Sequence, residues 1–164
     1  MKPRLPVLGL LLLAGLGESA IAADWWFVPA PQGGMAAAIV YIDKSSMQRI
    51  SRSSRVAGWV WTIYRTDQTS EFGAFRSEKH RTTVDCEKKE VGSERGDLYS
   101  AYGALVHRYK EPAPQMGPIT PESMDETVAT FMCSDGKQPP RSIPVYDPTK
   151  DVEQRFLQND RERR

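Results

Sequence analysis

From Trp25 onward the chain sets short apolar runs between turn residues. The runs repeat every two residues, as strands do, and not every 3.6. "WWFVPA", Trp25 to Ala30, is a short aromatic strand stopped by Pro29 and Pro31. A turn at Gly33-Gly34 leads to "AAIVYID", Ala37 to Asp43, which is rich in β-formers. "SRVAGWVWTIYR", Ser54 to Arg65, is the strongest strand in the sequence. "EKHRTTVDC", Glu78 to Cys86, alternates polar and apolar positions, and "DLYSAYGALVHRYK", Asp97 to Lys110, predicts two strands about a turn at Tyr102-Gly103. Spaced strands with turn signals between them predict a meander-like antiparallel sheet.

The same period assigns faces. In the strongest strand Val56, Gly58, Val60 and Tyr64 point one way, and Ala57, Trp59, Trp61 and Ile63 the other. Ile39 and Tyr41 oppose Val40 and Ile42 in the same manner. Both faces are apolar, so this strand is central and covered on both sides. Trp59 and Trp61 are therefore expected on a packed face and not on an exposed binding strip.

One segment breaks the strand pattern. After the proline-rich "KEPAPQMGP", Lys110 to Pro118, which is not expected to continue the sheet, "TPESMDETVATFMC" reads as a helix. Ser123 is its N-cap, Glu126 completes a capping box, and Asp125 suits the positive end of the helix dipole. Met124, Val128 and Phe131 make an apolar stripe. Ser134-Asp135-Gly136 ends it. Beyond lie a loop-like "KQPPRSIPVYDP" and a highly charged "KDVEQRFLQNDRERR", in which Val152, Phe156 and Leu157 would suit a short docking helix or a loose tail. One helix cannot cover both faces of the sheet. The second face calls for the N-terminal aromatic segment, strong curvature or a second copy of the chain. Open sheet edges also favour a homodimer.

The first residues change the compartment. Lys2 and Arg4 precede an apolar run from Leu5 to Leu13, and Ala20-Ile21-Ala22 has the small-x-small pattern of a cleavage site. Residues 1–22 are expected to be a secretory signal peptide, too short to be a comfortable bilayer span. The expected organisation is this peptide, one domain over 23–136 and a flexible proline-rich and charged tail over 137–164. No cysteine stands near the cleavage site, so no lipid-modified N-terminal cysteine is expected. Cleavage removes Lys2, Arg4 and Glu18 and leaves twenty cationic and twenty anionic side chains. That balance argues against a nucleic acid partner held by bulk charge.

An exported chain with two cysteines has one intramolecular pairing, Cys86 with Cys133. Cys86 ends a strand and Cys133 closes the helix, so a bond would staple the helix to the sheet. The alternatives are a metal ligand or a reactive thiol. Metal-ligand spacing is absent, and no spacing ties His80 or His107 to a cysteine. No metal and no cofactor is expected.

In order, "AIVYIDKSSMQR", "VAGWVWTIY", "TTVDCEKK", "YSAYGALV" and "PITPESMDETVATFMC" resemble the surface-adhesin protein E family of Gram-negative bacteria, over roughly Trp25 to Cys133. The resemblance implies an α+β fold: a curved antiparallel sheet of five to six strands, with one C-terminal helix held to it by a disulfide. It also implies adhesion to host extracellular-matrix or plasma proteins from the periplasm or cell surface. The resembling residues build the fold and transfer no binding residue.

Three functions compete. A protein-binding module is favoured, with Arg49, Arg52 and Arg55 as the candidate contact for anionic groups, because guanidinium forks match carboxylates and sulfates. The second is a periplasmic structural or stress-related protein without a host partner. The third is an enzyme. Asp85, Glu87, Asp97, Ser100 and His107 have the right chemistry, but no spacing links them into nucleophile, base and orienting group, so an enzyme is not expected.

Overall fold

The computed structural model describes residues 22–29, 37–139 and 141–162. The expected signal peptide and the Gly33-Gly34 turn lie outside the described residues.

Among the described residues eight antiparallel strands and two helices follow one another. They are β1 (Trp25–Val28), β2 (Ala38–Arg49), β3 (Arg55–Ser70), β4 (Gly73–Asp85), β5 (Glu90–Tyr99), β6 (Leu105–Lys110), β7 (Gly117–Pro118), α1 (Met124–Cys133), β8 (Ile143–Pro144) and α2 (Pro148–Glu162). The sheet runs β6-β5-β4-β3-β2-β1-β8, with β7 paired to β5 off this path. It is an α+β fold with an open antiparallel sheet, and β3 lies at its centre as its two apolar faces require. No helix among the described residues is long and apolar enough to cross a membrane.

The strands are longer than the apolar runs that mark them. β2 passes through a register shift between Asp43 and Gln48 and continues to Arg49. β3 and β4 likewise pass a shift between Ile63 and Gln68 and extend as a polar hairpin to Ser70 and Gly73. Backbone pairing carries these arms where alternation has faded. The proline-rich connection also rejoins the sheet, pairing Gly117 with Val91 and Pro118 with Glu90. Gly92 makes room for it, since a Cβ there would stand 2.5 Å from the Gln115 carbonyl oxygen.

α1 covers one face. Val128, Phe131 and Met132 pack with Val28, Val40, Ile42, Val56, Val60 and Val84 in a single buried cluster. The helix begins as its sequence dictates. The Ser123 side chain accepts from the Glu126 N–H, and the Glu126 carboxylate accepts from the Glu122 N–H. Cys86 and Cys133 form a disulfide across 47 residues of chain, fastening the helix end to the end of β4.

Part of the second face is covered by α2, together with the N-terminal β1. Val152 is buried with Phe27, Ile39, Tyr41 and Ile63, and Phe156 packs against this group. Polar contacts fix the helix in place. The Tyr41 hydroxyl donates to the Asp151 carboxylate at 2.9 Å, and Asp151 is also paired with Arg155. The Arg155 guanidinium lies 3.4 Å from the centre of the Phe27 ring. Arg65 on β3 reaches Asp160 at 2.8 Å and the Phe156 carbonyl at 3.0 Å. Of the two sequence readings of the charged C-terminal segment, the structure contains the docking helix. The sequence hides it because its polar residues outnumber the few that dock.

Replacing both cysteines by alanine is expected to destabilise the protein by up to about 4 kcal/mol, the chain-entropy value for a loop of this length. α1 should lose amide-exchange protection before the sheet does. Two free thiols found by alkylation of the native protein would overturn the staple. Val152→Asp should place a carboxylate in the second core and release α2, costing about 3 kcal/mol in urea unfolding while α1 keeps its protection.

Candidate functional site

The face that α2 shares extends past its apolar footprint into a strip of aromatic and cationic side chains. Cross-strand pairing builds it. Trp61 on β3 pairs with Lys79 on β4, Lys79 with Asp97 on β5, and Asp97 with Arg108 on β6. In the next row Trp59 pairs with Arg81, Arg81 with Arg95, and Arg95 with Lys110. Directly opposed residues share a face, so these eight side chains stand on one surface.

Trp59 and Trp61 are half-buried, so the packed face expected of them is only partly closed and both rings reach the surface of the strip. Trp61 meets Trp25 edge-on at 5.6 Å. The Lys79 ammonium sits 3.7 Å from the Trp61 ring and 5.6 Å from that of Trp25. Partial burial lowers the Lys79 pKa, against which the nearby Asp97 charge acts. Arg95 lies 4.9 Å over Trp59 and is exposed. Arg81 pairs with Glu94 at 3.2 Å, and Arg108 grips Asp97 with two bonds of 2.6 and 2.8 Å. Those bonds hold the Asp97 carboxyl below its ordinary range, the Arg108 bond foremost. Five cations against Asp97 and Glu94 leave the strip net positive. It offers ring faces for packing and guanidinium forks for carboxylates, the combination that dominates protein interfaces.

The three arginines singled out from the sequence do not come together as one group. Arg49 bonds Asp135 at 2.9 Å and the Cys133 carbonyl at 3.4 Å. α1 has no basic residue in its last turn, and Arg49 supplies from β2 the cation its negative end favours. Arg55 bonds Asp85 at 3.2 Å. Arg52 alone stands free, exposed in the β2–β3 turn with φ of 60°.

The residues with catalytic potential are also spread out. Asp85 is buried and accepts from the Ser54 hydroxyl at 2.6 Å, the Lys88 N–H at 3.1 Å and Arg55. Those partners, Ser54 foremost, depress its pKa to about 2. Ser100 accepts from the backbone of its own turn, at Tyr102 and Ala104. His107 stacks flat on Phe72 at 3.5 Å. Among the described residues no three His, Cys, Asp or Glu side chains gather as a metal site.

The family model of the surface-adhesin protein E matches residues 27–134. The chain belongs to this family. The match runs from β1 to one residue beyond α1, so β8 and α2 of this protein E relative lie past it. Among solved structures the chain is similar to Haemophilus influenzae protein E. One structure shares 16% identity, covering 68% of this chain and 87% of that one, with a TM-score of 0.47. A second crystal form shares 15%, covering 60% and 83%, with a TM-score of 0.45. Protein E from non-typeable Haemophilus influenzae shares 14%, covering 66% and 75%, with a TM-score of 0.45. No curated protein matches.

The strip runs against the expectation that Trp59 and Trp61 would be packed away, although part of its signal is in the sequence. The two-residue period places Lys79 and Arg81 on one face of β4, but only the pairing register sets them beside Trp61 and Trp59.

Asp85 predicts a specific acid response. Its folded pKa of about 2 lies below the ordinary 3.8, so its contribution is whole above pH 4 and is lost as pH falls from about 4 through 2. Urea midpoints of Asp85→Asn should lie below wild type at pH 7, and the two should converge as the pH falls below about 2.

Proposed function

We propose that the protein is an exported, non-enzymatic binding module that takes acidic segments of protein partners on the outer face of β3 to β6. The observation that carries this reading is the strip of Trp59, Trp61, Lys79, Arg95 and Arg108, where cations rest on aromatic rings. An acidic polypeptide laid across it would exchange water for guanidinium and ammonium contacts while its apolar side chains meet the indoles. Family membership supports host extracellular-matrix or plasma proteins as the partners. Export through a cleaved signal peptide, to the periplasm or surface of a Gram-negative bacterium, fits the same reading.

A homodimer belongs to this reading as a further property. α2 covers part of the face that called for a second copy, whereas the β6 edge, with Leu105 half exposed, still offers one. Sedimentation over a wide concentration range separates the cases, and a single monomer mass throughout would dismiss the dimer.

Arg95→Glu combined with Lys110→Glu should slow association with immobilised matrix or plasma proteins about tenfold at physiological salt. The difference should shrink at high salt, because steering by exposed charge is screened. Equal binding by the variant at all salt concentrations would sink the assignment of this face. On intact cells the protein should be open to antibody or protease. Release by osmotic shock alone, with no surface signal, would favour the periplasmic alternative.

A further inference from the structure

On the opposite face of the sheet, under the first turn of α1, lies a cavity of about 420 Å³. Its walls are partly apolar, from Val60 on β3 and from Met124 and Val128 on α1. Its polar lining is acidic. Glu78 and His80 come from β4, Tyr64 from β3 and Asp125 from α1, and no lysine or arginine is among the lining residues. The Tyr64 hydroxyl donates to the Glu78 carboxylate at 2.6 Å, and the His80 Nδ1 lies 4.0 Å from the same carboxylate. Both Glu78 and Asp125 act on Tyr64 and His80 electrostatically. Burial outweighs those charges at His80 and holds it neutral, which leaves a ring nitrogen able to accept a hydrogen bond.

Thr82 is the second, independent observation. It lines the cavity, is only 2% exposed, and its Oγ1 is buried without a hydrogen-bond partner. A buried hydroxyl in this state is costly to the fold and is rare unless something meets it. A carboxylate ligand would be repelled by Glu78 and Asp125. A neutral apolar one would leave the Thr82 hydroxyl unmet and the negative charge of Glu78 and Asp125 unbalanced.

We propose that this cavity binds a small aliphatic ammonium ion, its charged head toward Glu78, Asp125 and the Thr82 hydroxyl and its hydrocarbon chain against Val60, Met124 and Val128. Each N–H of an ammonium is a donor, and the site presents acceptors: two carboxylates, a hydroxyl and a neutral imidazole. The apolar walls exclude water from the alkyl chain, as small-ligand sites of this size do. The site is on the face away from the aromatic strip, so it can stand or fall independently of the proposed partner surface.

The test is titration of the folded chain with n-pentylammonium, 1-pentanol and pentanoate, followed by amide NMR and calorimetry. n-Pentylammonium should saturate and shift amides of β4 and the α1 N-terminus, and the other two should not. Thr82→Val should weaken binding about fivefold and leave the melting temperature unchanged or raised, because it deletes an unmet hydroxyl without changing shape. Glu78→Gln should weaken binding about tenfold. Asp125→Asn, at an exposed helix position, should weaken it about threefold and covers the case that loss of the Tyr64 bond unfolds Glu78→Gln. Pentanol binding as tightly as n-pentylammonium, undiminished affinity in Thr82→Val, or shifts confined to the opposite sheet face would each overturn the proposal.

Discussion

The structure rests on the two-sided apolar character of β3. Strand geometry sends successive side chains to opposite faces, so Val56 and Val60 enter one core and Ile63 the other. A central strand of this kind is stable only when both faces are kept from water. The chain meets the demand with two unlike helices. α1 brings a continuous apolar stripe and a covalent staple. α2 brings few apolar residues and docks with help from Asp151, Arg155 and Asp160, which bind the sheet or lie over its rings. The first cover is held by burial and a cross-link. The second depends more on hydrogen bonds and cation–ring contacts that partial burial strengthens.

The nearly balanced charges of this chain are sorted by place. Where elements meet, they serve the fold. Arg49 closes the end of α1 through Asp135, and Asp85 gathers Ser54, Arg55 and Lys88 at the β3–β4 edge. Arginines adjacent to the β2–β3 turn thus act as fasteners, which explains why a local run of them need not be a binding patch. On the sheet beyond α2 the balance is different. Lys79 and Arg95 rest over tryptophans, and the surplus of positive charge faces outward. On the other face Glu78 and Asp125 border the cavity beneath α1. A chain whose net charge is only +1 thus sets cations on the strip and carboxylates at the cavity, which bulk composition conceals.

Much of this was legible beforehand where the signal is local. The faces of β2 and β3 follow from a two-residue period, the start of α1 from Ser123 and Glu126, and the staple from two cysteines placed at two element ends. The long arms of β2, β3 and β4 were not legible, because past Asp43 and Ile63 the pairing of backbones, not side-chain alternation, keeps the strands together. α2 was half legible: of the expected docking residues Val152 and Phe156 pack on the sheet and Leu157 is exposed, and their apolar content is too small to predict docking without the hydrophobic face that receives them.

What the sequence determined by itself is the set of properties carried by neighbours along the chain. These are strand faces, a capped helix, a cysteine at each of two element ends, and family membership through the order of those features. What only the tertiary structure decided is which side chains from distant strands become neighbours. Register sets Lys79 against Trp61 and Arg81 against Trp59, the fold sends Arg49 to Asp135 and Arg55 to Asp85, and α1 roofs the space that Thr82 and Glu78 line. The physical reason is that strand pairing joins residues far apart in sequence, and a shift of one position would turn every one of these side chains to the other face.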